Sequence, residues 1–444
     1  MLKGIKKHGK IIAVFVLAAI VVFSFGMVVF AEQTQPKQMQ PKETFYRTIT
    51  KIYDWGAAVP EVIIDLGQTV KQGAVSKDTF SVLVSRTDPR VPTPLLESGY
   101  RTVINAYVSD ENGNPVEAGQ YVTLEMEIGP NVSLGSPLNY YNGTNEWIRC
   151  DYVVTQLKDI PSDSGTISGL IANKFAGGIR ELVDDFLIGK STYNGITLNH
   201  AYYAPAKDDQ KHPLIIWLHG GGEGGVDATI PLAANKCVNL ITEEIQSYFG
   251  GAHVLVPQAP TFWMDGFTGT GDGTSIYEDA LMSLIKDYVS QNSDIDANRI
   301  YIGGCSNGGY MTMIMIRDYP GYFAAAFPVC EPLHDKLITN ADLREIMKTP
   351  IWFTCAATDP VVPPAIYAVP TYNRLLAAGA TNVHLSYFDK VIDTTGLYKK
   401  EDGTPYEYNG HWSWIYVYNN ECTTVIDGKI VSIMEWMAAQ SLNK

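Results

Sequence analysis

Two hydrophobic rhythms divide the chain. From about Phe45 to Gln156 apolar and polar positions alternate, the period of strands with one buried face. Val122, Leu124, Met126 and Ile128 face one way, with Thr123, Glu125 and Glu127 opposite. Phe80, Val82 and Val84 repeat the pattern, and 61–66, 103–108 and 151–155 read as further strands. From about Leu187 the rhythm changes. Leu214–Leu218, Val254–Val256, Ile300–Ile302, Phe323–Phe327 and Ile351–Phe353 are continuous apolar runs, as expected of strands covered on both faces. Helical spacing lies between them: Ile276, Ala280, Leu281, Leu284, Ile285 and Tyr288 form one stripe. Two more helices are expected over about 307–319, stopped by Pro320, and 371–378, ended by Gly379.

Short strands without a long helix predict a small β-sandwich over 45–160, which we read as immunoglobulin-like. The β/α alternation predicts an α/β domain with a mostly parallel sheet over 161–444. The boundary is placed at the small, polar stretch Pro161–Gly169, and the sandwich is expected to pack against the second domain. Ahead of both, residues 1–10 carry four lysines and residues 11–31 are almost wholly apolar, the form of an export signal. Cleavage after Ala31 would make the protein secreted or cell-surface; an uncleaved segment would act as a membrane anchor. The Gln- and Pro-rich residues 32–44 read as a linker.

Composition narrows the partners. The formal charge of the 444 residues is −14, and four of the lysines lie in the signal. So acidic a chain, with no basic run after the signal, is not expected to bind nucleic acid. Cys150, Cys237, Cys305, Cys330, Cys355 and Cys422 include no CxxC pair, so neither a metal nor any other cofactor is expected. Cys305, Cys330 and Cys355 lie in or beside apolar runs, where free cysteine behaves as a small hydrophobe.

The candidate chemistry begins at Gly304-Cys305-Ser306-Asn307-Gly308, between an expected strand and an expected helix. A serine on such a turn is held strained, with its hydroxyl exposed at the edge of the sheet. A second glycine-rich turn, His219-Gly220-Gly221-Gly222-Glu223, follows the strand 214–218. Acyl transfer needs backbone N–H groups aimed at an oxyanion, and glycine lets the backbone approach. The expected donors are the amides of Gly221 or Gly222 with that of Asn307; no GK[ST] follows to suggest a phosphate loop. His219 is expected to be a structural hydrogen-bonder. Among histidines after the nucleophile, His384 alternates within a strand, which leaves His411 as the general base. Asp359, at the end of the strand 351–356, is the candidate acid, with Asp389 as the alternative. The order Ser…Asp…His is the one this fold uses.

Together these segments resemble bacterial esterases in which an immunoglobulin-like domain precedes an α/β-hydrolase domain. The resemblance rests on His219–Glu223, Arg299–Gly309, Ala357–Pro363 and Asn409–Trp414, and covers essentially all of the chain after the linker. It implies a serine carboxylesterase acting on short or medium acyl esters through an acyl-enzyme, on a small-molecule or polymer-borne substrate. The same machinery serves prolyl-oligopeptidase-like peptidases and polysaccharide or polyester de-esterases, and both remain alternatives. Phe262, Trp263 and Phe267, with Trp412, are expected to wall the pocket. The short segment Glu331–Thr349 leaves no room for a large lid.

Overall fold

A computed structural model describes residues 42–265 and 271–442. The expected signal, all but the end of the expected linker, and Phe267 lie outside the described residues.

The first layer comprises β1 (Lys42–Tyr53), β2 (Gly56–Lys71), β3 (Phe80–Thr87), β4 (Leu95–Arg101), β5 (Val103–Ser109), β6 (Ala118–Met126), the hairpin β7 (Leu138–Tyr141) and β8 (Thr144–Trp147), β9 (Arg149–Gln156), the hairpin β10 (Ile160–Ser162) and β11 (Gly165–Ile167), and β12 (Leu170–Arg180). Eight of these hydrogen-bond in the order β4-β3-β9-β12-β1-β2-β6-β5. Alternate residues point inward: Val82 and Val84 of β3 share one buried cluster with Val108 of β5 and Val122 and Leu124 of β6. The two wings of the sheet therefore face one another across an apolar core, as in a sandwich.

Two expectations need correction. Residues 42–44 open β1 and pair with Leu170, Ile171 and Ala172 of β12 rather than ending a linker. The domain boundary falls after Arg180, not at 160/161. Ile160 and Ile167 are buried in the sandwich core, and β12 lies between β1 and β9. The physical reason is that β12 loses its alternation after Ala172, where exposed Phe175 and two glycines interrupt it.

The second layer is the sheet of β13 (Leu187–Tyr193), β14 (Ile196–Tyr203), β15 (His212–Leu218), β16 (His253–Gln258), β17 (Ile295–Cys305), β18 (Ala325–Val329), β19 (Ile351–Ala356) and β20 (Val383–Phe388). Its order is β13-β14-β16-β15-β17-β18-β19-β20, parallel from β16 to β20. Every residue of β15 is buried, with Leu214, Ile216 and Leu218 in one apolar cluster and Ile215 and Trp217 in the other. Its helices are α1 (Ile230–Ala234), α2 (Glu243–Phe249), α3 (Glu278–Gln291), α4 (Asn307–Asp318), α5 (Asn340–Ile346), α6 (Ala368–Ala377), α7 (Trp414–Tyr418) and α8 (Ile433–Ala438). β16 lies on one side of β15 and β17 on the other. The connections leave in opposite directions and open a crevice at the carboxyl ends of β15 and β17. Both glycine-rich turns lie there. The two layers pack together, as expected: Ala57 and Leu138 of the sandwich join the apolar cluster that holds Trp217, and Lys236 bridges to buried Asp54 at 2.7 Å.

Candidate active site

The turn after β17 is set by steric necessity. Ser306 has φ 53° and ψ −117°, a conformation that costs a non-glycine residue about 1–3 kcal/mol. Its N–H donates to Val329 O at 2.9 Å, and its carbonyl accepts from Tyr310 N at 3.0 Å, so the strain is held from both sides. A Cβ on Gly308 would lie 1.9 Å from Leu218 O, and one on Gly304 would lie 2.5 Å from the same oxygen. Only glycine lets α4 and β15 approach this closely. Asn307 is the first residue of α4, where a backbone N–H has no partner within the helix. Its side-chain oxygen accepts from Trp263 N at 2.6 Å, tying the loop after β16 to the start of α4.

The turn after β15 is built on His219. Its Nε2 accepts from Ala259 N at 3.0 Å, so Nδ1 carries the proton and donates to Gly220 O at 2.7 Å. Burial pulls this imidazole down to about 4, so it is neutral at ordinary pH. The structural role expected for His219 is what its contacts describe. Gly221–Glu223 form one 3-10 turn, and the Glu223 carboxyl is buried beneath it. Burial pushes that carboxyl up to about 7, although Gly220 N–H and the amides of Asn145 and Asn235 favour its charged form.

Asp359 and His411 meet across 52 residues of chain. His411 Nδ1 donates to Asp359 Oδ2 at 2.8 Å, with Oδ1 at 3.1 Å. Asp359 Oδ1 also accepts from the amides of Val361 and Val362, both at 2.8 Å, which fixes the carboxylate. Gly410 permits the approach, because a Cβ there would lie 2.4 Å from the Thr358 backbone. Trp414 meets the imidazole edge-on, ring centroids 5.4 Å apart. The alternative acid, Asp389, is exposed, and His384 bonds Asn382 at 3.1 Å instead. With Nδ1 committed, His411 has Nε2 for a proton transfer. Cys330, Asp359 and His411 offer atoms within 4.8 Å of one another, the arrangement a metal would require. Burial holds the Cys330 thiol well above its usual range, away from the thiolate a metal binds, and the other two groups are committed to each other.

Ser306 and His411 line one cavity of about 620 Å³, with Gly220, Gly221, Gly222, Phe262 and Trp412. Trp263 does not. It is fully buried beneath the loop, tilted against His219 with centroids 5.1 Å apart, so its expected place in the pocket wall is corrected to the core. Another part of the wall comes from the sandwich, including Trp55, Leu138, Tyr140 and Asn145. Sequence reasoning missed these residues. The one available signal was Asn142-Gly143, a hairpin turn amid tyrosines, which says nothing about what the hairpin touches.

Comparison with known proteins agrees with this architecture. Residues 45–169 match the model of the esterase Ig-like N-terminal domain, and residues 272–365 that of the prolyl oligopeptidase family. A thermostable esterase of known crystal structure is 26% identical with a TM-score of 0.73, covering 89% of this chain and 99% of its own. Acylamino-acid-releasing enzyme 1 of Oryza sativa subsp. japonica is 25% identical over 268 residues, 59% of this chain. The chain spans only 31% of that relative's length. The chain thus joins an esterase-type immunoglobulin-like domain to an α/β-hydrolase domain, and these matches support a serine hydrolase.

Proposed function

We propose that the protein is an exported carboxylesterase whose nucleophile is Ser306, with His411 as general base and Asp359 as its orienting acid. One observation carries the reading: His411, bonded to Asp359, lines the same cavity as the strained Ser306. His411 Nε2 takes the hydroxyl proton as Ser306 Oγ bonds the ester carbonyl carbon. The amides of Gly221 or Gly222 and of Asn307 receive the oxyanion, aided by the N-terminal end of α4. As the tetrahedral intermediate collapses, the C–O bond to the alcohol breaks and His411 returns the proton to the leaving oxygen. Water then gives a proton to His411 as its oxygen bonds the acyl carbon; collapse breaks the bond to Ser306 Oγ, which takes that proton back from His411, and the acid leaves.

Ester over amide is favoured by the esterase-type first domain and by the likeness to the thermostable esterase over both domains. A cavity of about 620 Å³ suits a short or medium acyl chain with its alcohol. A peptidase is the second reading, motivated by the prolyl oligopeptidase match. Matched ester and anilide substrates separate the two; anilide turnover exceeding ester turnover would reverse the order. Ser306→Ala is expected to lower turnover of a short aryl ester by about 10⁴-fold or more, and near-wild-type turnover would end the proposal. Export follows from the amino-terminal sequence alone. N-terminal sequencing of cell-free material should begin after Ala31, and a chain found only in the cytoplasm would refute export.

A further inference from the structure

The hairpin β7–β8 leaves the sandwich and forms its own two-stranded sheet. Its turn, Asn142-Gly143, has φ of 50° and 88°, the mirror-image conformation that suits a tight hairpin. An isolated hairpin is marginal in water, so something must hold it. Buried Arg86 donates to Ser136 O at 2.7 Å and to Leu138 O at 2.8 Å. Asp88, also buried, accepts from Arg90 at 2.7 Å and from Asn139 Nδ2 at 2.8 Å. Arg90 in turn donates to Asn139 O at 2.8 Å and Thr144 O at 3.2 Å, clamping both strands. The Arg90 hydrogen bonds hold the Asp88 carboxyl down at about 2, so the clamp stays charged at ordinary pH. Trp147 fastens the far side through its indole N–H to Thr229 Oγ1 at 2.8 Å.

This anchored hairpin presents Asn145 and the Tyr140 ring to the turn after β15, and of the two Asn145 hydrogen-bonds it. Asn145 Nδ2 donates to Gly222 O and to Glu223 Oε1, both at 3.3 Å. Asn145 Nδ2 and the Tyr140 ring are also the first atoms a Cβ on Gly222 would meet, at 3.1 and 3.2 Å. Inside the turn, Glu223 Oε2 is buried without a hydrogen-bond partner among the described residues, so Glu223 relies on its other oxygen. Gly220, Gly221 and Gly222 have no side chains with which to fix their own peptide planes, and glycine explores more backbone conformations than any other residue. His219 holds the plane of Gly220 O, which carries the Gly221 N–H, and Asn145 holds the carbonyl of Gly222 at the other end, so the turn is gripped from both sides.

We propose that Asn145 is a positioning residue for the oxyanion turn, through which the immunoglobulin-like domain acts on the chemical step. The inference rests on the esterase reading above, since it assigns a task to the amides of Gly221 and Gly222. It separates two functions of the domain interface: Trp147 fastens the hairpin, whereas Asn145 orients catalytic amides.

The test compares full-length Asn145→Ala, Asn145→Asp, Trp147→Phe and Ser306→Ala on p-nitrophenyl acetate, with phenylboronic acid as a tetrahedral mimic. Both Asn145 variants are expected to lose about 10- to 100-fold in kcat, with KM within about twofold, because one misaimed oxyanion donor costs up to about 10²–10³. Boronate affinity should fall in parallel. Trp147→Phe should lower Tm and leave kcat and boronate affinity unchanged. Asn145→Asp keeps the shape of the side chain, so it carries the test should the alanine variant fail to fold. Wild-type kcat in a folded Asn145 variant overturns the proposal, as does an equal loss of kcat in Trp147→Phe. If Ser306→Ala is inactive in that same experiment, the esterase reading survives the overturning. If Ser306→Ala retains turnover, the esterase reading itself falls and takes this inference with it.

Discussion

The two glycine turns at the carboxyl ends of β15 and β17 sit in one crevice but are held in opposite ways. The turn carrying Ser306 is fixed by exclusion: Gly304 and Gly308 pack so closely on Leu218 O that no other residue fits. The turn carrying Gly221 and Gly222 has more room, since a Cβ on Gly221 would lie 3.1 Å from the nearest atom, on the Phe262 ring. It is held by polar contacts, with His219 on one side, Glu223 beneath and Asn145 from the other domain. Packing gives rigidity that local sequence encodes. Hydrogen bonds from a distant element give a position that can be adjusted or lost without unfolding the domain.

The largest effect that would sharpen this contrast is catalytic. Asp359→Asn should lower kcat by about 10⁴-fold with little change in Tm, because the His411 tautomer is lost while the packing stays. Asp389→Asn, at an exposed position, should leave the rate as it is; equal losses in the two variants would contradict the assignment. Next comes the packed turn. Gly308→Ala should destabilise the fold by about 3 kcal/mol or more and abolish activity together, because Leu218 O must move. Gly221→Ala should cost less than about 1 kcal/mol in urea unfolding, since a side-chain ring can shift. Similar losses in the two variants would remove the distinction between the turns.

The smallest effect concerns Glu223. Its carboxyl is raised to about 7 in the folded chain, from an ordinary value of 4.5. Below about pH 4.5 it is neutral in both states and the fold is not penalised. As pH rises from about 4.5 to 7, the unfolded chain releases a proton that the folded chain retains, and stability falls by about 3 kcal/mol. Above about pH 7 the contribution is constant. The difference in stability between wild type and Glu223→Gln should therefore grow across this window, measured by urea unfolding at each pH. A difference that stays flat would mean that Glu223 titrates normally and that the turn is not braced from within.

How much of this was legible in the sequence follows the same division. Ser306, His219 and Asp359 could be proposed because each lies on a turn after a strand whose apolar run announces it, whereas His411, in a loop beyond the last strand of the parallel sheet, was reached by elimination among the histidines and by chain order. Each depends on glycines or a proline close in sequence. The parallel sheet was legible for the same reason. Trp263 was misplaced because an aromatic in a glycine-rich loop looks the same whether it faces a cavity or the core; the bond from its N–H to Asn307 Oδ1 turns the loop so that the ring goes inward. The domain boundary was misplaced because β12 draws its stability from pairing with β1, over a hundred residues earlier, and not from its own alternation. Asn145 could not be found at all. Its partners are 77 and 78 residues away, and an asparagine in a hairpin carries no local mark of what it will meet.

The central claim, that Ser306 attacks the ester and carries the acyl group, is most directly tested by trapping the intermediate. Wild-type protein is mixed with a p-nitrophenyl ester, quenched in acid within milliseconds, digested and weighed by mass spectrometry. The account predicts an added acyl mass on the peptide containing Ser306, absent from Ser306→Ala and accumulating in proportion to the burst of p-nitrophenol. An acyl mass on any other residue, or a burst that persists in Ser306→Ala, would contradict it.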